Sequence, residues 1–140
     1  MTVVVDTNAL LALLGREHPS GVIFDAYLAG KFAWAVSNEI LLEYEEVVVE
    51  RIGRTRFDRF AWLLESAAQI HRSLLRISPS FRFRLIAADP DDDKFADCAI
   101  AAGTDWIITS DHHFDAVIGS GYKPQPITPE EFIRRHLARA

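Results

Sequence analysis

Asp6, Glu43, Asp93, Asp97 and Asp111 are the residues of this chain whose types and spacing carry the clearest chemistry. Asp6 closes the apolar run Val3-Val4-Val5, and Asp111 follows Trp106-Ile107-Ile108-Thr109-Ser110. Both therefore stand at the carboxyl ends of expected strands, where open parallel sheets place their functional crevice. Either one alone reads as a helix cap; the pair is harder to explain that way. On the next expected helix a helical wheel puts Glu43 beside Glu39, Ile40 and Val47, next to the apolar stripe, while Glu45, Glu46 and Glu50 face solvent. Asp93 falls in the first turn of a later helix with Asp97 one turn on and on the same face. Like charges at that spacing destabilise a helix unless a cation lies near them. The field of the helix N-terminus accounts for Asp91 and Asp92 but not for Asp97.

Four or five carboxylates converging with no nearby lysine would repel, and hard cations with oxygen ligands are the natural remedy. Magnesium or manganese suits such a site. Two ions about 4 Å apart activate an attacking water and stabilise the leaving oxygen of a phosphodiester. Asn8 and Thr109 are short polar groups beside Asp6 and Asp111, placed either to orient a carboxylate or to cap a turn. Of His112 and His113, one can point into the site, because adjacent residues point in different directions. His18, His71 and His136 show no partner pattern. The sequence has no Walker A loop, no Gly-x-Gly-x-x-Gly, no Gly-x-Ser-x-Gly and no His-Glu-x-x-His, so no rival chemistry competes.

The charge distribution bears on the substrate. The 140 residues carry a formal net charge of -5, yet the segment from Arg51 to Arg84 holds eight arginines against Asp58 and Glu65. That segment is +6 and the remainder -11. An acidic centre beside a basic flank fits a metal-dependent enzyme acting on a polyanion, although a solvated helical face gives the same arginines. The single Cys98 excludes an internal disulfide and a Cys-rich zinc cluster, and suits a reducing cytosol as a small buried apolar residue. With no leader-like start and no run of membrane-span length, the expectation is a soluble cytoplasmic chain folding as one domain over residues 1–140.

The elements that must position these residues follow from periodicity and punctuation. Strands are expected at Thr2–Val5, Phe32–Val36, Phe83–Ile86, Asp105–Thr109 and Gln125–Ile127, the last at an edge. Helices are expected over Asn8–Leu14, Pro19–Leu28, Ser37 to about Arg51 and Thr55 to about Leu75. The last of these has Phe57, Phe60, Leu63, Leu64, Ala67 and Ile70 on its core stripe. Gly53 separates the two long helices. Asp89-Pro90 starts a helix to Ala102 with Gly103 past its end, Ser110–Ile118 reads as helical, and Thr128-Pro129-Glu130-Glu131 starts a final helix. Alternating strands and helices make this an α/β chain, a layered sandwich around a mainly parallel sheet. Leu13, Leu14 and Ile23 read as core, with a partner surface or a homodimer contact as the alternative.

Taken in order, Val-Val-Val-Asp6-Thr7-Asn8-Ala-Leu-Leu, the helix around Glu43, and Asp89-Pro-Asp-Asp-Asp93 through Thr109-Ser-Asp111 resemble the PIN-domain family. The nearest likeness is to bacterial toxin components of toxin–antitoxin systems (VapC-like ribonucleases), and it extends to the Ile127–Phe132 ending. The resemblance implies a three-layer α/β/α sandwich whose acidic groove holds Mg2+ or Mn2+, and an endoribonuclease leaving a 5′-phosphate and a 3′-hydroxyl on single-stranded RNA. It implies Asp6, Glu43, Asp93 and Asp111 as the catalytic acids, Asp97 as an accessory ligand, and a protein antitoxin as partner. Arg51, Arg54 and Arg56 are the arginines expected to guide the RNA backbone. The rival readings are a non-cleaving PIN-fold module that binds RNA or protein, and a phosphatase with an aspartyl nucleophile. The second lacks its Asp-x-Asp signature, since Asn8 holds the second position.

Overall fold

A computed structural model describes residues 1–86 and 90–137. Among them the chain forms five parallel strands, β1 (Thr2–Val5), β2 (Ala33–Val36), β3 (Leu74–Arg76), β4 (Trp106–Ile108) and β5 (Gln125–Ile127), in the order β3-β2-β1-β4-β5. Helices α1 (Thr7–Leu14), α2 (Gly21–Leu28), α3 (Asn38–Arg51) and α4 (Arg54–His71) connect the first three strands, and α5 (Asp93–Ala102) leads into β4. A 3-10 stretch, His112–Val117, joins β4 to β5, and a short α6 (Pro129–Phe132) runs on into a π-type turn, Ile133–Leu137.

Parallel neighbours joined by right-handed crossovers fix which face each helix covers. Strand order runs one way from β1 to β3 and the other way from β4 to β5, so α1–α4 lie on one face and α5 with the 3-10 stretch on the other. The result is a three-layer α/β/α sandwich, and β1 and β4 meet where the order reverses. Val3, Val4 and Val5 are fully buried, as a strand covered on both faces requires. On one face Trp34 is the hub, meeting Phe24, Tyr27, Tyr44 and Phe60. Tilted and edge-on ring pairs of this kind add about 0.5–1.5 kcal/mol each beyond their buried area. On the other face Phe95 of α5 packs against Phe114. Leu13, Leu14 and Ile23 are buried, which removes them as a partner surface.

Three sequence expectations change. The helix expected to reach Leu75 ends at His71, because Arg72 enters the left-handed region (φ 53°) and its N–H closes on Ala68. Leu74–Arg76 then becomes β3, while Ile70, assigned to the core stripe, is exposed at the end of α4. Phe83–Ile86 is not a strand; side-chain carboxylates take two of its N–H groups. The expected cap Asp89 lies outside the described residues, and α5 starts at Asp93 after a 3-10 turn, Pro90–Asp92. Gly103 ends α5 at φ 64°, where a side chain is rarely tolerated. The edge strand β5 carries Pro126 opposite Ile107.

Candidate functional site

The site is assembled at the junction of β1 and β4. The β1–β4 ladder runs in register from Val3↔Trp106 to Val5↔Ile108 and is extended by Asp6, whose N–H donates to the Ile108 carbonyl at 3.1 Å. This brings Thr109 beside Asp6. The Thr109 hydroxyl donates to Asp6 Oδ2 and accepts from the Asp111 N–H at 3.0 Å, so one side chain orients both acids. Asp6 also caps α1, its Oδ1 accepting from the Ala9 N–H at 2.7 Å. Capping and membership of the site are therefore not alternatives for this residue.

Glu43 arrives from α3. Ser37 caps that helix by accepting from the Ile40 N–H, and the buried Tyr44 hydroxyl donates to the Val5 carbonyl, one residue before Asp6. That bond pins the turn bearing Glu43 against the end of β1. Glu43 Oε2 accepts from the Thr7 hydroxyl, and Oε1 lies 2.6 Å from Lys94 Nζ. The expectation of no nearby lysine is thus wrong: Lys94 follows Asp93 in the first turn of α5 and its stem is long enough to cross to α3.

The acids of α5 divide in an unexpected way. Asp93 Oδ1 accepts from the Ile86 N–H and Asp97 Oδ1 from the Phe83 N–H, both at 2.9 Å, so each anchors the segment that precedes α5. Asp97 is 4% exposed, and burial first, with the neighbouring Asp93 adding and the bond from the Phe83 N–H opposing, pushes its carboxyl above the ordinary value. Asp92, which the sequence assigns to the field of the helix N-terminus, instead faces Asp111 and His113. One ligand atom from each of the three lies within 4.8 Å of the others. His113 Nδ1 is 3.4 Å from Asp111 Oδ1 and 3.8 Å from Asp92 Oδ2, whereas the His112 side chain is 96% exposed and turns to Asp115.

Burial is the largest influence raising the Asp6 carboxyl above its ordinary value; Asp111 and Glu43 add to it, and the bonds from Thr109 and Ala9 oppose it. A buried acid repelled by two others, with Asp92 and an imidazole close to one of them, is a donor set of the type that hard divalent cations take up. The residues present fit magnesium or manganese. Asn8 lines a cleft of about 390 Å³ with Ser110 and Asp111 and is exposed there. The arginines lie elsewhere. Arg51 is exposed at the far end of α3, Arg54 pairs with Glu45 at 2.7 Å and with Asp58 at 3.6 Å, and Arg56 donates to the Leu14 carbonyl at the end of α1.

Sequence reasoning missed Asp92, Lys94, Thr7 and Tyr44. Three consecutive acids at Asp91–Asp93 exceed what one helix start requires, and that excess was the available signal for Asp92.

The PIN domain family model matches residues 2–113, a span that holds Asp6, Glu43, Asp92, Asp93, Asp97 and Asp111. The chain belongs to the PIN domain family. Among solved structures it is similar to a chain in the crystal structure of VapBC2 from Rickettsia felis bound to a DNA fragment from their promoter. That match covers 91% of this chain and 98% of the other, at 17% identity and a TM-score of 0.55, and at this identity it speaks to the fold alone. No curated protein matches. Among the described residues no helix is long and apolar enough to cross a membrane.

Proposed function

We propose that this chain is a divalent-metal-dependent endoribonuclease that hydrolyses single-stranded RNA, and that it serves as the toxin of a toxin–antitoxin pair in the cytoplasm. The observation that carries the reading is the meeting of Asp6, Asp111 and Glu43 at the point where the strand order reverses. Membership of the PIN family supports nuclease chemistry, and the likeness to a VapBC2 chain is what motivates an antitoxin partner.

Asp6, Asp93 and Asp111 would hold the Mg2+ or Mn2+, joined by Asp92 and His113. A carboxylate that accepts one N–H retains further lone pairs, so the bond to Ile86 leaves Asp93 able to ligate. When bound, such an ion supplies charge neutralisation at the phosphate and activation of water. Thr109 keeps Asp6 in one orientation, and Thr7 does the same for Glu43, which ligates or positions the attacking water. Lys94 offsets the charge of Glu43 and links α5 to α3. The products are a 5′-phosphate and a 3′-hydroxyl. Arg51 is the expected guide for the RNA backbone, since Arg54 and Arg56 already have partners within the chain.

The Lys94–Glu43 pair also suits a PIN-fold module that binds without cutting, because it satisfies an acid that cleavage would use. One assay separates the two. Purified chain incubated with mixed-sequence single-stranded RNA should cleave it with manganese and not with chelator, and Asp6→Asn or Asp111→Asn should abolish the cut. Binding without cleavage would give the module reading. Co-purification with the product of the adjacent gene tests the antitoxin, and retention of full cleavage by Asp6→Asn would end the assignment of the site.

A further inference from the structure

The segment leading into α5 presents aromatic rings that neither the core nor the acid centre uses. Phe81 is 72% exposed, its ring lies 6.4 Å from that of Phe83, and Phe83 meets Tyr122 edge-on at 5.1 Å. Tyr122, from the turn before β5, is itself 40% exposed. A single exposed ring needs no explanation, but three in contact across two segments form a continuous apolar strip. Arginines interleave with them in Phe81-Arg82-Phe83-Arg84, and both arginines are exposed. Arg82 meets the exposed Glu39 at 3.4 Å.

The segment is fixed in place. Asp97 and Asp93 hold it through the Phe83 and Ile86 N–H groups, and between those anchors Arg84 sits at φ 55°, a backbone conformation that residues other than glycine seldom adopt. It also adjoins the acid centre. Phe81 and Arg82 line a small cavity of about 90 Å³ together with Lys94, the residue that reaches Glu43. A strip of π-faces alternating with cations, anchored to α5 through Asp93 and Asp97, matches what unpaired nucleotides require. Bases stack on rings regardless of sequence, and guanidinium groups meet the phosphates between them. An aliphatic protein-docking face would lack the interleaved charge.

We propose that Phe81, Phe83 and Tyr122, with Arg82 and Arg84, form a base-stacking platform that holds unpaired nucleotides of a single-stranded RNA beside the acid centre. The proposal rests on the ribonuclease reading above. It adds the segment before α5 to the positive flank that Arg51 begins at the end of α3. It also gives a physical source for a single-strand preference, because bases paired in a duplex cannot offer their faces to the rings.

The test uses the full chain with calcium in place of the catalytic ion and a single-stranded RNA carrying 2-aminopurine. Stacking on the platform quenches the probe in the wild-type protein. Phe81→Ala and Tyr122→Ala should each weaken RNA binding by roughly 5- to 50-fold and relieve the quenching. Phe81→Trp should restore both, and with manganese the loss should register in KM rather than kcat. Phe81 is too exposed for its removal to unfold the chain. Unchanged affinity and quenching in both alanine variants would overturn the platform. So would variants that loosen a self-associated or antitoxin-bound form, measured by sedimentation, without touching RNA affinity. If the wild-type chain cleaves RNA with manganese but never quenches the probe, the platform alone falls. If it neither binds nor cleaves, the ribonuclease reading falls and the platform with it.

Discussion

Asp6 and Asp105 stand at opposite ends of the central β1–β4 pair, and each accepts a backbone N–H, Asp6 from Ala9 at 2.7 Å and Asp105 from Thr2 at 2.9 Å. Their surroundings differ in sign. Burial first, then Asp111 and Glu43, push the Asp6 carboxyl above its ordinary value. The Thr2 N–H first, then Lys123 at 3.3 Å and the chain's amino terminus, hold Asp105 below it. One hydrogen-bond motif thus serves two ends. At the lower end the charge is matched and fastens the strands; at the upper end it is opposed by burial and two further acids, and only the bonds from Thr109 and Ala9 offset it.

The comparison breaks most visibly in activity. Asp6→Asn should reduce metal-dependent RNA cleavage to the level of a chelated sample, while Asp105→Asn should cleave like the wild type. A gel assay with both variants checks this, and equal losses would erase the distinction. Thr109→Val, which leaves Asp6 in place but removes the hydroxyl that orients it, should cost about 10- to 100-fold in metal affinity or activity. Calorimetric titration of manganese reads that loss independently of turnover.

Stability should separate the two aspartates with opposite signs. In chelator, Asp6→Asn removes an opposed charge and keeps the cap, because asparagine caps a helix as well as aspartate. Its Tm should rise by roughly 2–5 °C, the shift that about 1 kcal/mol gives in a chain of this size. Manganese should stabilise the wild type more than the variant. Asp105 has a depressed folded-state pKa, so its contribution is present above its ordinary value of 3.8 and is lost as pH falls through the folded value. Asp105→Asn should therefore lower Tm at pH 7 and leave it unchanged near pH 2. The effect should be the smallest of the set and shrink in high salt, since the side chain is 36% exposed.

Much of this arrangement was legible in the sequence because short-range rules and tertiary needs agree there. Val3–Val5 is apolar without a break and buried on both faces, Ser37 and Thr128 cap the helices they precede, and Pro126 sits in an edge strand. The order of the acids likewise led to the family. What the sequence concealed are places where a distant side chain decides. Nothing local marks Leu74–Arg76 as β3, because a non-glycine residue, Arg72, takes the left-handed turn that ends α4. Phe83–Ile86 reads as a short strand, but Asp97 and Asp93 claim the Phe83 and Ile86 N–H groups from the next helix. No lysine is expected near the acids from sequence, and only the meeting of α3 with α5 reveals the bond from Lys94 to Glu43. Asp92 and His113 converge through a turn and a 3-10 stretch whose directions no periodicity encodes.

Pro126 has a further effect through its missing N–H. The Gln125 N–H and the Ile127 carbonyl both face β4, so alternation along the strand turns the Pro126 nitrogen to the open side of the sheet. An incoming strand would find no donor at the middle of a three-residue template, which blocks growth of the sheet by strand addition on that side. Self-templating along β5 is thereby suppressed, and any chain that approaches from there meets the Pro126 carbonyl but no backbone donor at that position.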